Sequence, residues 1–495
     1  MLFSSLHFIF IFLPFTIFSF YLIGSRGHHR VAIGWLTSLS LLFYGWWNPI
    51  YVLLLLGSIL FNYFLGATLA KTKNKITLAI GVTVNLSILG YFKYANFFVD
   101  NINAVIAVDI FLERIILPLA ISFFTFQQIT FLVDSYRSKI KEYNFLYYSL
   151  FVTFFPQLIA GPIVHNHEVM PQFLKDTLCR LKSENLAVGA IIFIIGLFKK
   201  TVIADSMAVY ANPIFMLAEG GSPVIFMDAW GGAIAYTFQL YFDFSGYSDM
   251  AIGLARMFGI TLPTNFFSPY KAINIIEFWR RWHMTLSRFF RDYLYIPLGG
   301  NREGAVRNIL NLMTTMLLAG LWHGPSWTFV IWGGIHGACL VINHGFQTTR
   351  HLLGHNLSKK SVFGSIASWA LTFSIIVITW SIFRAESING AQNMMQAMLG
   401  INGFILPKLI DYHFWAILCI LLFVVCFMPS TQEFLVEYKP TLEIYSGHVE
   451  PKRYHWIFRY KLSNFVHNLL IVLMGWLCFL TMLSGNTTNF VYGNF

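Results

Sequence analysis

Leu317 to Gly337 reads "LLAGLWHGPSWTFVIWGGIHG". Two apolar stretches flank His323, and Gly324 and Pro325 follow it at once. Proline removes a backbone donor and glycine relaxes the chain, so the pair should interrupt a helix. The apolar run Ile309 to Trp322 is too short to span a bilayer alone. Joined to 327–344, it predicts one broken span made of two half-helices. Non-helical backbone survives at membrane depth only where protein or a water-lined cavity covers it. A titratable ring at such a break is a functional candidate by default. The plainer alternative is a core histidine bonded to a neighbouring carbonyl.

The rest of the chain says that a membrane surrounds this stretch. It is 57% hydrophobic and 11% charged, with a mean hydropathy of +0.63, against about half and about a quarter for ordinary soluble chains. Only helices and closed barrels satisfy their backbone in lipid. Barrels show short alternating segments, whereas the apolar runs here are continuous and of helical spanning length. The expectation is an all-α, polytopic single domain over 1–495. About eleven to thirteen spans are expected, near 7–24, 31–47, 50–70, 76–94, 114–134, 145–164, 186–204, 224–244, 309–322 with 327–344, 362–384, 412–429 and 464–484. The N-terminal run lacks a basic leader and a small-residue cleavage site, so it reads as a retained first helix.

The formal charge is +11. Most of the excess sits in short loops, which favours positive-inside bias and anionic lipid over nucleic acid as its explanation. "SRGHHR", "KTKNK" and "SYRSKIKEYN" read as cytoplasmic, and the loop with Asp100, Asp109 and Glu113 as outside. The five cysteines are scattered without metal spacing or a disulfide framework. His165 and His167 in "HNHEV" raise the question of a metal. Pro171 occupies the second His position of an HExxH register, however, so none is expected.

Two polar stretches interrupt the apolar pattern, 265–308 and 430–463. Within the first, Phe278, Trp282, Leu286, Phe289 and Tyr293 recur at three- and four-residue spacing among arginines. That predicts a basic amphipathic helix over 278–294, lying in the cytoplasmic interface. The second is expected to be another surface segment. Asp243 and Asp249 flank a Ser-Gly pair read as a turn ending an apolar helix. They could orient a histidine or a substrate hydroxyl, or with Ser245 and Ser248 cap the next helix. Ser245 is not in a GxSxG elbow, which speaks against a serine hydrolase.

Four stretches resemble the membrane-bound O-acyltransferases: "FFPQLIAGPI" (154–163), "YFDFSGYSDMAIGLARMFGI" (241–260), "FWRRWHMTLSRFFRDYLYIPLGGNR" (278–302) and "GLWHGPSWTFVIWGGIHG" (320–337). They are similar to the bacterial branch that includes the alginate O-acetyltransferase membrane subunit and the D-alanyl transfer protein of teichoic acids. "MLFSSLHFIFIFLPF" at the start and "NFVYGNF" at the end share the resemblance; 385–463 matches least. The resemblance implies a ring of helices around a thinned centre, with His323 as catalytic histidine and His283 as a second catalytic or orienting group. It implies acyl transfer from a cytosolic thioester, acetyl-CoA or another, to hydroxyls of an extracytoplasmic polysaccharide. An extracytoplasmic acetyl-handling protein would be the partner. Arg280 and Arg281 become candidates for binding coenzyme A phosphates, with anionic lipid as their alternative. No permanently bound cofactor and no metal is expected. A transporter would share the broken helix, but no internal repeat supports one.

Overall fold

The computed structural model describes residues 1–106, 109–140, 144–354, 361–404, 409–442 and 464–485. These residues form helices and connecting loops, with no strand among them. Seven helices are long and apolar enough to cross a membrane, including Ile50–Thr72, Lys75–Ile106 and Phe465–Leu483. On the last of these Val466, Leu470, Val472, Leu473 and Trp476 are exposed. A continuous apolar surface of this kind needs lipid to cover it. The remaining expected spans fall on shorter or more polar helices. The run 145–164 is divided between Phe145–Thr153 and Phe155–Leu158, where the chain leaves the helical conformation at Phe154 ahead of Pro156.

One helix organises the body. Every residue from Ala235 to Ala255 in Phe226–Met257 is buried, which an all-round core helix requires. It passes without a turn through the Ser-Gly pair of "DFSGYSD", so the expected helix end there is incorrect. The glycine serves packing instead: a Cβ on Gly246 would stand 2.6 Å from the Gly196 carbonyl oxygen. The partner helix is also longer than hydropathy suggested. The span expected to end at 204 continues to Glu219 through a π-helical turn, Lys199–Ala204.

His323 does not interrupt one span. Ala305–His323 has 19 residues and Trp327–Leu352 has 26, and the two pack antiparallel as a hairpin. The contacts that would meet a Cβ pair Gly320 with the Phe329 carbonyl (2.3 Å) and Gly333 with the Met316 carbonyl (2.4 Å). Only glycine allows two helix backbones to come so close. Gly324 is extended, Pro325 follows, and the Ser326 hydroxyl caps the returning helix at Thr328. The two half-helices of the sequence reading are therefore two full helices. The first looked short because Arg307 and Asn308 in its opening turn precede the apolar run that starts at Ile309.

The loops sort onto two faces. The Lys73 ammonium donates to the Ser135 carbonyl (2.7 Å), joining two of the basic loops. The His29 ring lies 2.9 Å from the Phe173 carbonyl and ties in a third. On the opposite face Arg114 pairs with Asp100 at 2.8 Å. This alternation follows the positive-inside expectation. Segment 430–442 is docked into the body: Thr441 bonds Thr264 (2.8 Å) and the Leu442 amide donates to the Leu262 carbonyl. Residues 443–463 and the closing "NFVYGNF" lie outside the described residues.

Candidate active site at the end of a hairpin

His323 ends the Ala305–His323 helix and is 2% exposed. Its ring is walled by Trp322, Phe383 and Trp332, at centroid distances of 5.0, 5.1 and 5.2 Å. The last carbonyls of a helix have no partner within it, and here they are capped from a neighbouring span. Lys93 donates to the Trp322 carbonyl and lies 3.3 Å from the Ser122 hydroxyl. The Tyr94 hydroxyl donates to the Leu321 carbonyl at 2.6 Å. A cation at a helix C-terminus also complements the helix dipole. Lys93 was not among the residues singled out in the sequence. An ionisable residue inside "ILGYFKYANFF" was the available signal.

His283 is fully buried and adopts a left-handed backbone, φ +42°. That conformation is costly for a side chain with a Cβ and persists only where the surroundings impose it. Asn265 imposes it. Its carbonyl accepts from the Met284 amide (2.9 Å), and its side-chain oxygen accepts from the Thr285 hydroxyl (2.9 Å) and lies 3.0 Å from His283 Nδ1. The Asn265 amide nitrogen donates to Ser248. Its oxygen therefore faces His283, which must carry the proton on Nδ1, leaving Nε2 with a lone pair. The indole of Trp322 contacts both histidines, 6.1 Å from His283 and 5.0 Å from His323. The left-handed turn also divides the expected 278–294 helix into Ile275–Trp279 and Met284–Phe290, followed by a π turn, Arg291–Tyr295. Its aromatic stripe is buried in protein rather than in lipid: Phe278, Trp282 and Leu286 are each at most 2% exposed.

A cavity of about 610 Å³ opens between this segment and the hairpin. Leu312, Thr315, Met316, Ala319 and His323 form one stripe along its wall. From Leu312 to His323 is eleven residues of helix, roughly 16 Å at about 1.5 Å per residue. The far end carries Arg280, Arg288, Arg291 and His344, on the basic face. Two of these cations are engaged by acids: Arg288 grips Glu168 with two bonds (2.6 and 2.9 Å), and Arg291 pairs with Asp292. Arg280 is exposed and has no ion pair among the described residues. Arg281 does not share the site. It is buried, bonded twice to Glu277 (2.8 and 3.2 Å) and once to the Phe267 carbonyl. On the other side of His323 the hairpin turn reaches the outer face, where the Trp327 indole donates to Asn101 (2.8 Å).

Asp243 and Asp249 are placed by lysines of the π turn. Asp243 pairs with Lys200 (2.9 Å), which also holds Asp205 (2.6 Å). Asp249 pairs with Lys199 (2.6 Å) and accepts from Thr431 and Gln432. The residues of the same helix that touch the histidine site are Phe244, against the His283 ring, and Ser248, through Asn265. His336 is satisfied on both nitrogens. Its Nδ1 accepts from the Trp279 indole (3.3 Å), and Nε2 donates to Thr379 (3.1 Å), whose own proton goes to the Ile376 carbonyl.

Comparison with known proteins identifies the family. A family model described as the membrane-bound O-acyltransferase family matches residues 77–383, which include both histidines, Lys93 and the cavity. The chain is 42% identical to a peptidoglycan O-acetyltransferase of Helicobacter pylori, over 81% of this chain and 80% of the relative. It is 41% identical to a probable alginate O-acetylase of Pseudomonas aeruginosa, over 83% of this chain and 77% of the relative. A teichoic acid D-alanyltransferase of Bacillus subtilis is 31% identical over 54% of this chain.

Proposed function

Because the chain belongs to the membrane-bound O-acyltransferase family, we propose that it carries an acetyl group from a cytosolic thioester, acetyl-CoA, to hydroxyls of an extracytoplasmic polysaccharide. The observation that carries this reading is the cavity that starts among arginines on the basic face and ends at His323. The basic face is cytoplasmic, and the membrane is the bacterial cytoplasmic membrane. The nucleotide and phosphates of the donor stay near Arg280 while its acylated arm follows the stripe from Leu312 to His323. The acceptor hydroxyl approaches from the side of Trp327 and Asn101. His323 takes the hydroxyl proton as the oxygen attacks the thioester carbon. The new C–O bond forms, the C–S bond breaks, and the proton passes to the departing thiolate. The Nε2 of His283, set by the Asn265 bond to Nδ1, orients the reacting groups or shares the proton. An extracytoplasmic acetyl-handling protein receives the product or guides the acceptor. Acetyl is preferred over D-alanyl because the acetyltransferase relatives match 81–83% of this chain and the D-alanyl relatives 54%.

The test is transfer of labelled acetyl from acetyl-CoA to a glycan acceptor by the purified protein. No thioester cleavage and no labelled glycan would defeat the proposal. Two further results are expected. Arg280→Glu raises the donor KM about ten- to a hundredfold, since a charge-assisted hydrogen bond is worth roughly 1.5–3 kcal/mol. Arg281→Glu instead lowers folded yield, because it sets two acids face to face. An unchanged KM for Arg280→Glu would leave that arginine to anionic lipid. The second result concerns sidedness: Arg291→Cys should react with a membrane-impermeant thiol reagent in inverted vesicles and not in intact cells. Labelling from outside would reverse the assigned topology.

A further inference from the structure

We propose that Asp134, His165 and His167 form a site for a zinc-class divalent cation on the basic face. Asp134 lies at the end of Ile121–Tyr136, and the two histidines flank the start of Asn166–Phe173. One potential ligand atom from each lies within 4.8 Å of the other two. In a tetrahedral zinc site with bonds of about 2.0–2.1 Å, ligand atoms stand roughly 3.4 Å apart. The three atoms must therefore draw together. His167 supplies the movement, since its side chain is 41% exposed while that of Asp134 is fully buried.

Tyr293 points to the same use. Its hydroxyl lies 3.1 Å from Asp134 Oδ1 and 3.0 Å from His165 Nδ1. Its contact with Nδ1 fixes the direction of the His165 ring and leaves Nε2 as the ring nitrogen turned away from the phenol. That Nε2 is buried and has no hydrogen-bond partner among the described residues. A second group that fixes the tautomer and direction of a ligating histidine is a regular part of metal sites. Two imidazoles and one carboxylate suit zinc better than magnesium or calcium, and leave a fourth position for water.

The neighbouring cations do not close the site. Arg288 is neutralised by Glu168. Lys139 stands 3.5 Å from Asp134, but its side chain is 46% exposed and can withdraw into water. Arg137 lies over the face of the Tyr293 ring, 5.8 Å from its centroid. A bound ion would join the end of one span to the Asn166–Phe173 helix and, through Tyr293, to the π turn that carries Arg291 and Tyr295 at the mouth of the cavity. In the sequence the HxH pair raises the question of a metal, and Pro171 argues against one because it breaks the HExxH register; Asp134, thirty-one residues upstream of His165, gives no local signal.

The full chain, purified in detergent, stripped with a chelator and desalted, is titrated with zinc by calorimetry and with cobalt(II) by visible absorption. One equivalent of zinc per chain is expected, with cobalt bands of the tetrahedral class. His167→Ala should lower affinity at least tenfold, Tyr293→Phe about ten- to a hundredfold, and the exposed His351→Ala not at all. Asp134→Asn should abolish binding, but it alters a buried group; His167→Ala, on a half-exposed side chain, keeps the test independent of folding. Absence of stoichiometric binding by the parent, or binding by His167→Ala equal to the parent's, overturns the proposal.

Discussion

His323→Gln is expected to express and purify like the parent while acetyl transfer to the glycan falls at least about a hundredfold, the lower part of the range for general acid–base catalysis. Glutamine roughly keeps the size of the ring but cannot exchange a proton. His336→Gln supplies the contrast. That ring is as buried as His323, yet both its nitrogens are occupied by Trp279 and Thr379. Its loss should lower the melting temperature and leave transfer per folded molecule within a few-fold of the parent. Initial rates normalised to folded protein, measured beside thermal melts, separate the two effects. Near-parental transfer by His323→Gln would remove chemistry from the hairpin end, and a transporter or scaffold would become the better reading.

Lys93→Met should be the next most damaging change. Methionine fills similar space and removes the desolvation cost of an ammonium that has only neutral acceptors among the described residues, so the protein should still fold. What disappears is the donor that holds the Trp322 carbonyl, and with it the position of the next residue, His323. A hydrogen bond from a charged group is worth roughly 1.5–3 kcal/mol, so kcat should fall about ten- to a hundredfold. Lys93 does not line the cavity, and the donor KM should stay near the parent's. Lys93→Arg should recover part of the rate. A raised KM with unchanged kcat would mean that Lys93 binds the donor instead.

His323 could be singled out as a candidate because Gly-Pro follows a histidine in an apolar setting, a local signal. The hairpin was not readable, because it depends on Gly320 and Gly333 meeting across two helices. Hydropathy placed most spans but ended one at 204, where Lys199 and Lys200 enter the helix; their charges are met by Asp249, Asp205 and Asp243 from elsewhere in the fold. The same long-range pairing changed the meaning of both aspartates. Arg280 and Arg281 looked equivalent, since both are cations beside the same histidine in one short motif, although adjacent residues of a helix point about 100° apart. The break at His283 and the carboxylate of Glu277 send one to the cavity and the other inward.

The cavity closed by His323 has a bioenergetic consequence. On the proposed reaction the thioester stays on the basic side and the hydroxyl on the other. Each turnover sends an acyl group outward and brings the hydroxyl's proton inward to the thiol. Neutral reactants become neutral products, so the exchange moves no net charge. Membrane voltage, worth about 2.3 kcal/mol per elementary charge per 100 mV, neither drives this equilibrium nor is dissipated by it. The free energy for modifying the far side comes from the thioester alone, and collapsing the voltage should leave the extent of acetylation unchanged.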